Sequence, residues 1–303
     1  MYPTILATFF EISRTAVSMC GASIVLFCVA LWAAKADISR ARGLDKIVVL
    51  SNLCFAIPLA VFGAEHFSAA RGIMQIVPKF MPWPLFWTYF VGCALLAASL
   101  SIAIKIQVHW SGLLFGIMMF LFVAMMDLPG TLAKPHDRFN WTLMLREMSF
   151  GSGGWVLAGG AMREQSRGQG KSKLITVGRI VIGIAAIFYG VEHVLHPVNV
   201  PGVPLEKLMP LWIPGRLIIG YLTGVILVIA GVGILLGKKT RMAATYLGTW
   251  IFLLVVFIYG PILIAGLADP STDVKVEGIN YFFDTLLFAG AILALASATP
   301  RTD

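Results

Sequence analysis

Apolar and polar positions alternate in long blocks along the chain. Runs of about 20 apolar residues are separated by short polar or proline-containing segments, which is the pattern of helices that cross a membrane. The runs lie at roughly residues 15–34, 46–66, 84–106, 110–128, 139–162, 174–195, 213–236, 240–264 and 278–298. The sequence therefore predicts an all-α, polytopic transmembrane protein with about nine spans.

Composition supports this interpretation. Of 303 residues, 58% are hydrophobic and only 13% are charged, and the mean hydropathy is +0.86. These values exclude an ordinary soluble domain. Glu11 and Arg14 precede the first apolar run, and no small-residue cleavage site follows before Lys35. We therefore interpret this run as a first transmembrane helix and not as a cleaved signal peptide.

Basic residues predict how the helices are oriented. Lys and Arg concentrate in the segments 35–46, 163–173 and 238–241, which all fall on one side of the nine-helix arrangement. Short loops rich in Lys and Arg favour the cytoplasm, so we expect a bacterial-type inner-membrane protein with its N-terminus outside and its C-terminus inside. The net charge of +8 then reflects contact with anionic lipid headgroups. Membrane lipids are the expected partners, and nucleic acid is not.

The sequence contains an internal repeat. Moving the stretch from Pro78 to Pro129 by 132 positions lays it on Pro210 to Pro261 without a gap, and 13 of 52 residues are identical. Each copy holds four helices, and an even number returns the chain to the same side of the membrane, so the copies should be two parallel four-helix bundles. The predicted divisions are an N-terminal helix and loop (1–45), a first unit (46–162), a linker (163–173) and a second unit (174–303).

Each copy ends its first helix with a Glu-His pair. The first copy reads FGAEHF at 62–67 and the second YGVEHVLH at 189–196. These pairs are 127 positions apart, so the second outer loop is five residues longer (132 minus 127). Ionisable groups inside a span cost about 2.5–3.5 kcal/mol and are candidate site residues. The candidate catalytic residues are Glu192, His193, His196, Glu65, His66, Glu147 and Asp284.

The second copy looks better equipped than the first. Helical spacing brings Tyr189 and His196 next to its Glu-His pair, whereas the first copy has Phe62 and Ala69 at those places. We therefore interpret the second pair as the working site.

The last helix of each copy adds an acid. In a four-helix bundle the first and fourth helices are often neighbours, so Glu147 and Asp284 are each expected to approach the Glu-His pair of their own copy. Histidine with carboxylates suits proton transfer or general acid–base chemistry.

Aromatic residues surround the proline-rich outer segments VPKFMP and MPLWIP. They suit either an aromatic belt at the lipid interface or a lateral mouth for a flat apolar molecule such as a quinone or an isoprenoid. The candidate cofactor contacts are Tyr189, Trp212, Tyr221, Trp83 and Tyr89. By contrast, the glycine-rich run GSGGWVLAGG at 151–160 follows no strand and predicts close helix packing, not a phosphate loop.

These features together resemble the DoxX/DoxD-like family of integral membrane proteins. The likeness rests on a four-helix unit with a polar signal at the end of its first helix, a proline-rich outer loop, and Tyr-x-x-Gly at the start of the next helix. It covers most of residues 46–298 as two fused units. Relatives of this kind are linked to thiosulfate oxidation and quinone reduction, so the resemblance implies a quinone-interacting component of a membrane redox process, working with a redox partner subunit.

Other functions are consistent with the same residues. The Glu-His pairs also suit a structural role at headgroup depth, a membrane-embedded lipid or isoprenoid isomerase or cyclase, and a non-catalytic scaffold or permease. No metal site is predicted, because the cysteines have no metal-ligand spacing. A haem held by His66 and His193 is less favoured, because the sequence has no haem-attachment motif.

Overall fold

Long helices dominate the structure, a computed structural model that describes residues 13–166, 172–203 and 205–300. In these ranges the long helices are α1 (Arg14–Arg40), α2 (Ser51–Ser68), α3 (Pro84–Ala103), α4 (Val108–Phe122), α5 (Arg138–Gln165), α6 (Lys173–Leu195), α7 (Arg216–Leu236), α8 (Thr240–Leu254) and α9 (Thr272–Ala298). No strand occurs among the described residues, apart from an isolated bridge between Asn199 and Leu208. Glu11 and residues 167–171 of the predicted linker lie outside the described ranges.

Each of the nine predicted spans corresponds to one of these helices. Among the residues that the structure describes, eight helical segments are long and apolar enough to cross a membrane, and α4 and α8 do so together with the shorter helices that continue them to Ala133 and Leu267. The all-α, polytopic prediction is therefore confirmed, and the chain is a multi-pass membrane protein. Helix α5 is the exception in composition, because it is rich in Gly and Ser and carries Arg146 and Glu147. It packs against α4, α6 and α9.

The local backbone repeats at the shift found in the sequence. Helices α4 and α8 begin and end 132 positions apart, and each continues into one π-helical turn, Val123–Asp127 and Val255–Tyr259. Pro129 and Pro261 follow these turns. A proline inside a helix has no N–H to donate and its ring clashes with the carbonyl four residues earlier, so the ordinary hydrogen-bond ladder is broken in both copies at the same place.

Left-handed backbone residues recur with the same spacing. They begin and end the connections around the second helix of each copy: Trp83, Lys105 and Gln107 in the first copy, and Gly215, Gly237 and Lys239 in the second. All three pairs are 132 positions apart. Two of the three positions are glycine in the second copy, where this conformation carries no Cβ penalty. The division of the chain into two folding units stays a prediction.

The fourth helices exchange partners between the copies. Helix α5 of the first copy packs along α6 of the second, and α9 of the second packs along α2 of the first, while α5 and α9 also contact each other. Glycines permit this close approach, because a Cβ at Gly290 would lie 2.7 Å from the Phe55 amide nitrogen and one at Gly153 would lie 2.5 Å from the Ala291 Cβ. The close packing predicted for residues 151–160 is therefore confirmed.

Candidate functional site

A cavity of about 990 Å³ opens beside the Glu-His pair of the first copy. It lies between α2, α3, α4, α5 and α9 and is roofed by the outer loop between α2 and α3. Its walls are mostly apolar and include Phe62, Trp87, Phe115, Met119, Met125 and Phe150. Apolar walls with a few convergent polar groups are the usual make-up of a small-molecule site.

The polar end of the cavity is organised by one guanidinium. Arg146 Nη1 donates to Asp284 Oδ2 at 2.7 Å, and Arg146 Nη2 donates to Glu147 Oε1 at 2.8 Å. The Asp127 carboxyl, at the end of the π-helical turn, lines the same cavity. Two carboxyl groups therefore pair with one arginine because α5 and α9 meet here, and a third lines the same cavity.

Glu65 and His66 complete the polar wall. Asn280 Nδ2 donates to Glu65 Oε1 at 3.1 Å. The His66 Nδ1 lies 2.7 Å from the Phe62 carbonyl oxygen, so Nδ1 carries the proton in the neutral ring and Nε2 is an acceptor. The cavity therefore ends in carboxyl groups and an imidazole, the side chains that most often act in acid–base chemistry.

The cavity reaches from the helix ends toward the middle of the bundle. Asp273, Glu277, Asn280 and Asp284 recur on one face of α9 and all line the cavity. Asp284 lies twelve residues into this helix, which is about 18 Å from its start at 1.5 Å per residue. A line of polar side chains therefore joins the mouth of the cavity to its buried end.

The second Glu-His pair has a different environment. Glu192 is buried and its Oε2 accepts from Arg138 Nη1 at 3.1 Å. His196 Nε2 lies 3.9 Å from the same oxygen. The Glu192–His196 proximity predicted from helical spacing is confirmed, yet Glu192 is held by an ion pair between α6 and α5.

The outer loop of the second copy fills the space beside His193. The His193 ring is fully buried, and its Nε2 accepts from the Gly202 amide at 2.9 Å. Tyr259 ends the second π-helical turn, and its hydroxyl donates to the Pro201 carbonyl at 2.8 Å. Val200 and Val203 of the same loop are also buried. This stretch of chain therefore occupies the position that corresponds to the cavity of the first copy.

The expectation that the second copy is the better-equipped, working site stays a prediction, but the geometry favours the first copy. The connection between its first two helices runs from 196 to 215, five residues longer than the connection from 69 to 83 in the first copy, and the added length packs inward. Tyr189 is fully buried, and its hydroxyl donates to the Thr142 carbonyl at 3.2 Å. Its hydroxyl is therefore already engaged within the protein. Asp284 pairs with Arg146 and lines the cavity of the first copy, because α9 packs along α2.

The other predicted cofactor contacts lie on the outer surface. Trp83 is 75% exposed and Trp212 is 56% exposed, while Tyr89 and Tyr221 are exposed to lesser degrees. None of the four lines the cavity, whereas Trp87 does. Their exposure suits an aromatic belt at the lipid interface.

Sequence reasoning missed several residues of the site. Arg146 and Asp127 are ionisable groups inside predicted spans, so the rule that selected Glu147 selects them as well. Asn280 and Arg138 gave a weaker signal in the sequence, because an amide is not ionisable and Arg138 lies just before a predicted span. Only the packing of α9 on α2 and of α5 on α6 identifies their partners.

Metal ligation has no geometric support in the described part of the chain. No group of three or more His, Cys, Asp and Glu residues there is arranged to hold a metal ion. His193 is unsuited to share a haem with His66, because its Nε2 is engaged by a backbone amide.

No family model, curated protein or solved structure matches the chain.

Proposed function

We propose that the chain binds a quinone-like lipid in the first copy's cavity and exchanges protons with it through the carboxyl cluster. The observation that carries this proposal is the position of Glu147 and Asp284 at the buried end of an apolar cavity. A lipophilic ring would contact the aromatic and methionine side chains of the walls, and its polar substituents would meet the acids.

The chemistry of a quinone matches this division of the cavity. Reduction of a quinone takes up two electrons and two protons, and oxidation of the quinol releases them. The carboxyl groups exchange the protons, and the polar face of α9 leads from them to the mouth of the cavity. The electrons pass to or from a redox partner subunit, as the DoxX/DoxD-like resemblance implies.

Glu65→Gln should lower the amount of quinone-like lipid retained on purification by about tenfold, because the carboxylate accepts a charge-assisted hydrogen bond from a hydroxyl of the quinol form, which contributes about 1.5–3 kcal/mol, and an amide oxygen accepts only a weaker, neutral one. The measurement is extraction of lipid from protein purified in mild detergent, followed by chromatography of the quinone fraction. Glu192→Gln is the matched control, since it changes the equivalent glutamate in the filled copy, and it should leave retention unchanged. Equal losses from both variants, or no quinone in the native protein, would contradict the proposal.

We further propose that the mouth of the cavity faces the outside of the cell, because the basic loops lie at the opposite end of the helices. Introduced cysteines test this orientation. Ser166 and Glu206 are both exposed and lie at opposite ends of α6. A membrane-impermeant thiol reagent applied to intact cells should label Glu206→Cys and not Ser166→Cys. The reverse pattern would invert the topology.

A further inference from the structure

The outer loop of the second copy contacts two residues whose equivalents in the first copy line the cavity. His193 of the second copy and His66 of the first are equivalent under the 127 shift. In the second copy a backbone N–H donates to the histidine Nε2 at 2.9 Å. The loop therefore presents a hydrogen-bond donor at this position, and the ring accepts from it.

The first copy offers the same acceptor to its cavity. The Nδ1 of His66 is engaged by the Phe62 carbonyl oxygen, so its Nε2 is left as an acceptor. His66 lines the cavity. A donor group on a bound ligand would therefore meet the His66 imidazole in the way that the Gly202 amide meets the His193 imidazole.

A second comparison concerns the end of the π-helical turn. Tyr259 and Asp127 are equivalent under the 132 shift. The tyrosine hydroxyl donates to the Pro201 carbonyl of the loop. In the first copy a carboxyl takes its place, and Asp127 Oδ2 is buried without a partner. The tyrosine faces an acceptor, the carbonyl, whereas an ionised carboxyl only accepts and needs a donor opposite it.

Two further buried atoms of the cavity have no hydrogen-bond partner. Asn280 donates its amide N–H to Glu65, which leaves its Oδ1 as a buried acceptor without a partner. Arg146 Nε is a buried donor without a partner. A hydroxyl group satisfies both kinds, since it donates one hydrogen bond and accepts others, whereas a carbonyl oxygen only accepts.

We infer that the cavity binds the dihydroxy, reduced form of its ligand in preference to the dicarbonyl, oxidised form. One hydroxyl donates to His66 Nε2 and the other to the Asp127 carboxylate. A quinone would instead place its carbonyl oxygens against these acceptors, with their lone pairs facing one another. This inference rests on the proposed function, since it specifies which redox form of a quinone-like lipid the site holds.

Two simple probes of one shape test the inference. Durohydroquinone and duroquinone, titrated anaerobically into the purified full-length chain in lipid nanodiscs, should differ in affinity by about tenfold or more in favour of the hydroquinone, the ratio expected from one charge-assisted hydrogen bond. Isothermal titration calorimetry, corrected with empty nanodiscs, measures both. Equal affinities, or tighter binding of duroquinone, would overturn the inference while leaving the proposed function standing. Binding of neither probe would overturn the proposed function itself.

A pair of variants assigns the preference to the cavity. Asp127→Asn replaces a carboxylate acceptor by an amide that also donates, so the preference for durohydroquinone should fall severalfold. Tyr259→Phe is the matched control in the filled copy and should leave the preference unchanged. A preference that survives Asp127→Asn, or one that Tyr259→Phe abolishes, would overturn the assignment.

Discussion

Arg146→Leu is expected to lower the free energy of unfolding by about 3–5 kcal/mol, the usual cost of removing one partner from a buried ion pair. The guanidinium binds both Asp284 and Glu147, and the side chains of all three are less than one fifth exposed. Without it, two carboxyl groups share an apolar site and must take up protons or separate. Reversible unfolding in mixed detergent micelles measures the loss.

Two further variants make this result specific to the buried site. Lys105→Leu breaks an ion pair with Asp37 whose side chains are 39% and 40% exposed, and it should cost less than about 1 kcal/mol. The double variant Arg146→Leu with Asp284→Leu removes charge from both sides and should recover part of the stability. A loss from Arg146→Leu no larger than that from Lys105→Leu would show that the two carboxyl groups are already neutral.

Gly290→Val is expected to lower the free energy of unfolding by about 3 kcal/mol, at the upper end of overpacking costs. A Cβ at this position would lie 2.7 Å from the Phe55 amide nitrogen and 2.8 Å from the Cys54 carbonyl carbon. Both atoms belong to the backbone of α2, so relief requires a helix to move and not a side chain to turn. The same unfolding measurement applies.

Gly21→Ala is the control for this substitution. Gly21 lies inside α1 and a Cβ there meets nothing within 4 Å. Alanine should be neutral or should add up to about 1 kcal/mol of stability, because it favours the helical backbone more than glycine does. If Gly290→Val proved as mild as Gly21→Ala, α2 and α9 would not be in tight contact.

The sequence predicted the helices well because their signal is local. Apolar runs of the right length are enough to place all nine, and the ungapped shift of 132 already aligns Pro129 with Pro261, which follow the two π-helical turns of the structure. Several of the site residues can also be predicted from the sequence. Glu65, His66, Glu147 and Asp284 do line one cavity, as a rule about ionisable residues in membranes suggests.

The arrangement of those residues in space cannot be predicted in the same way. The polar neighbours along α6 favour Glu192 and His193 as the working site. The sequence of one helix does not show that a loop folds inward over these two residues. The exchange of α5 and α9 between the copies depends on close contacts such as that of Gly290 with Phe55, which join residues far apart in the chain. Helical periodicity identifies the face of a helix but not the helix that it meets.

The exchange of fourth helices also sets the order in which the cavity can be assembled. The ribosome delivers α2 well before α9, yet Asn280 and Asp284 of α9 form part of the cavity beside Glu65. During synthesis the first copy therefore enters the membrane with that wall missing, and Arg146 has no second carboxylate until α9 has been made. A nascent chain stopped after Leu267 would contain every residue of the first copy and still lack a finished cavity.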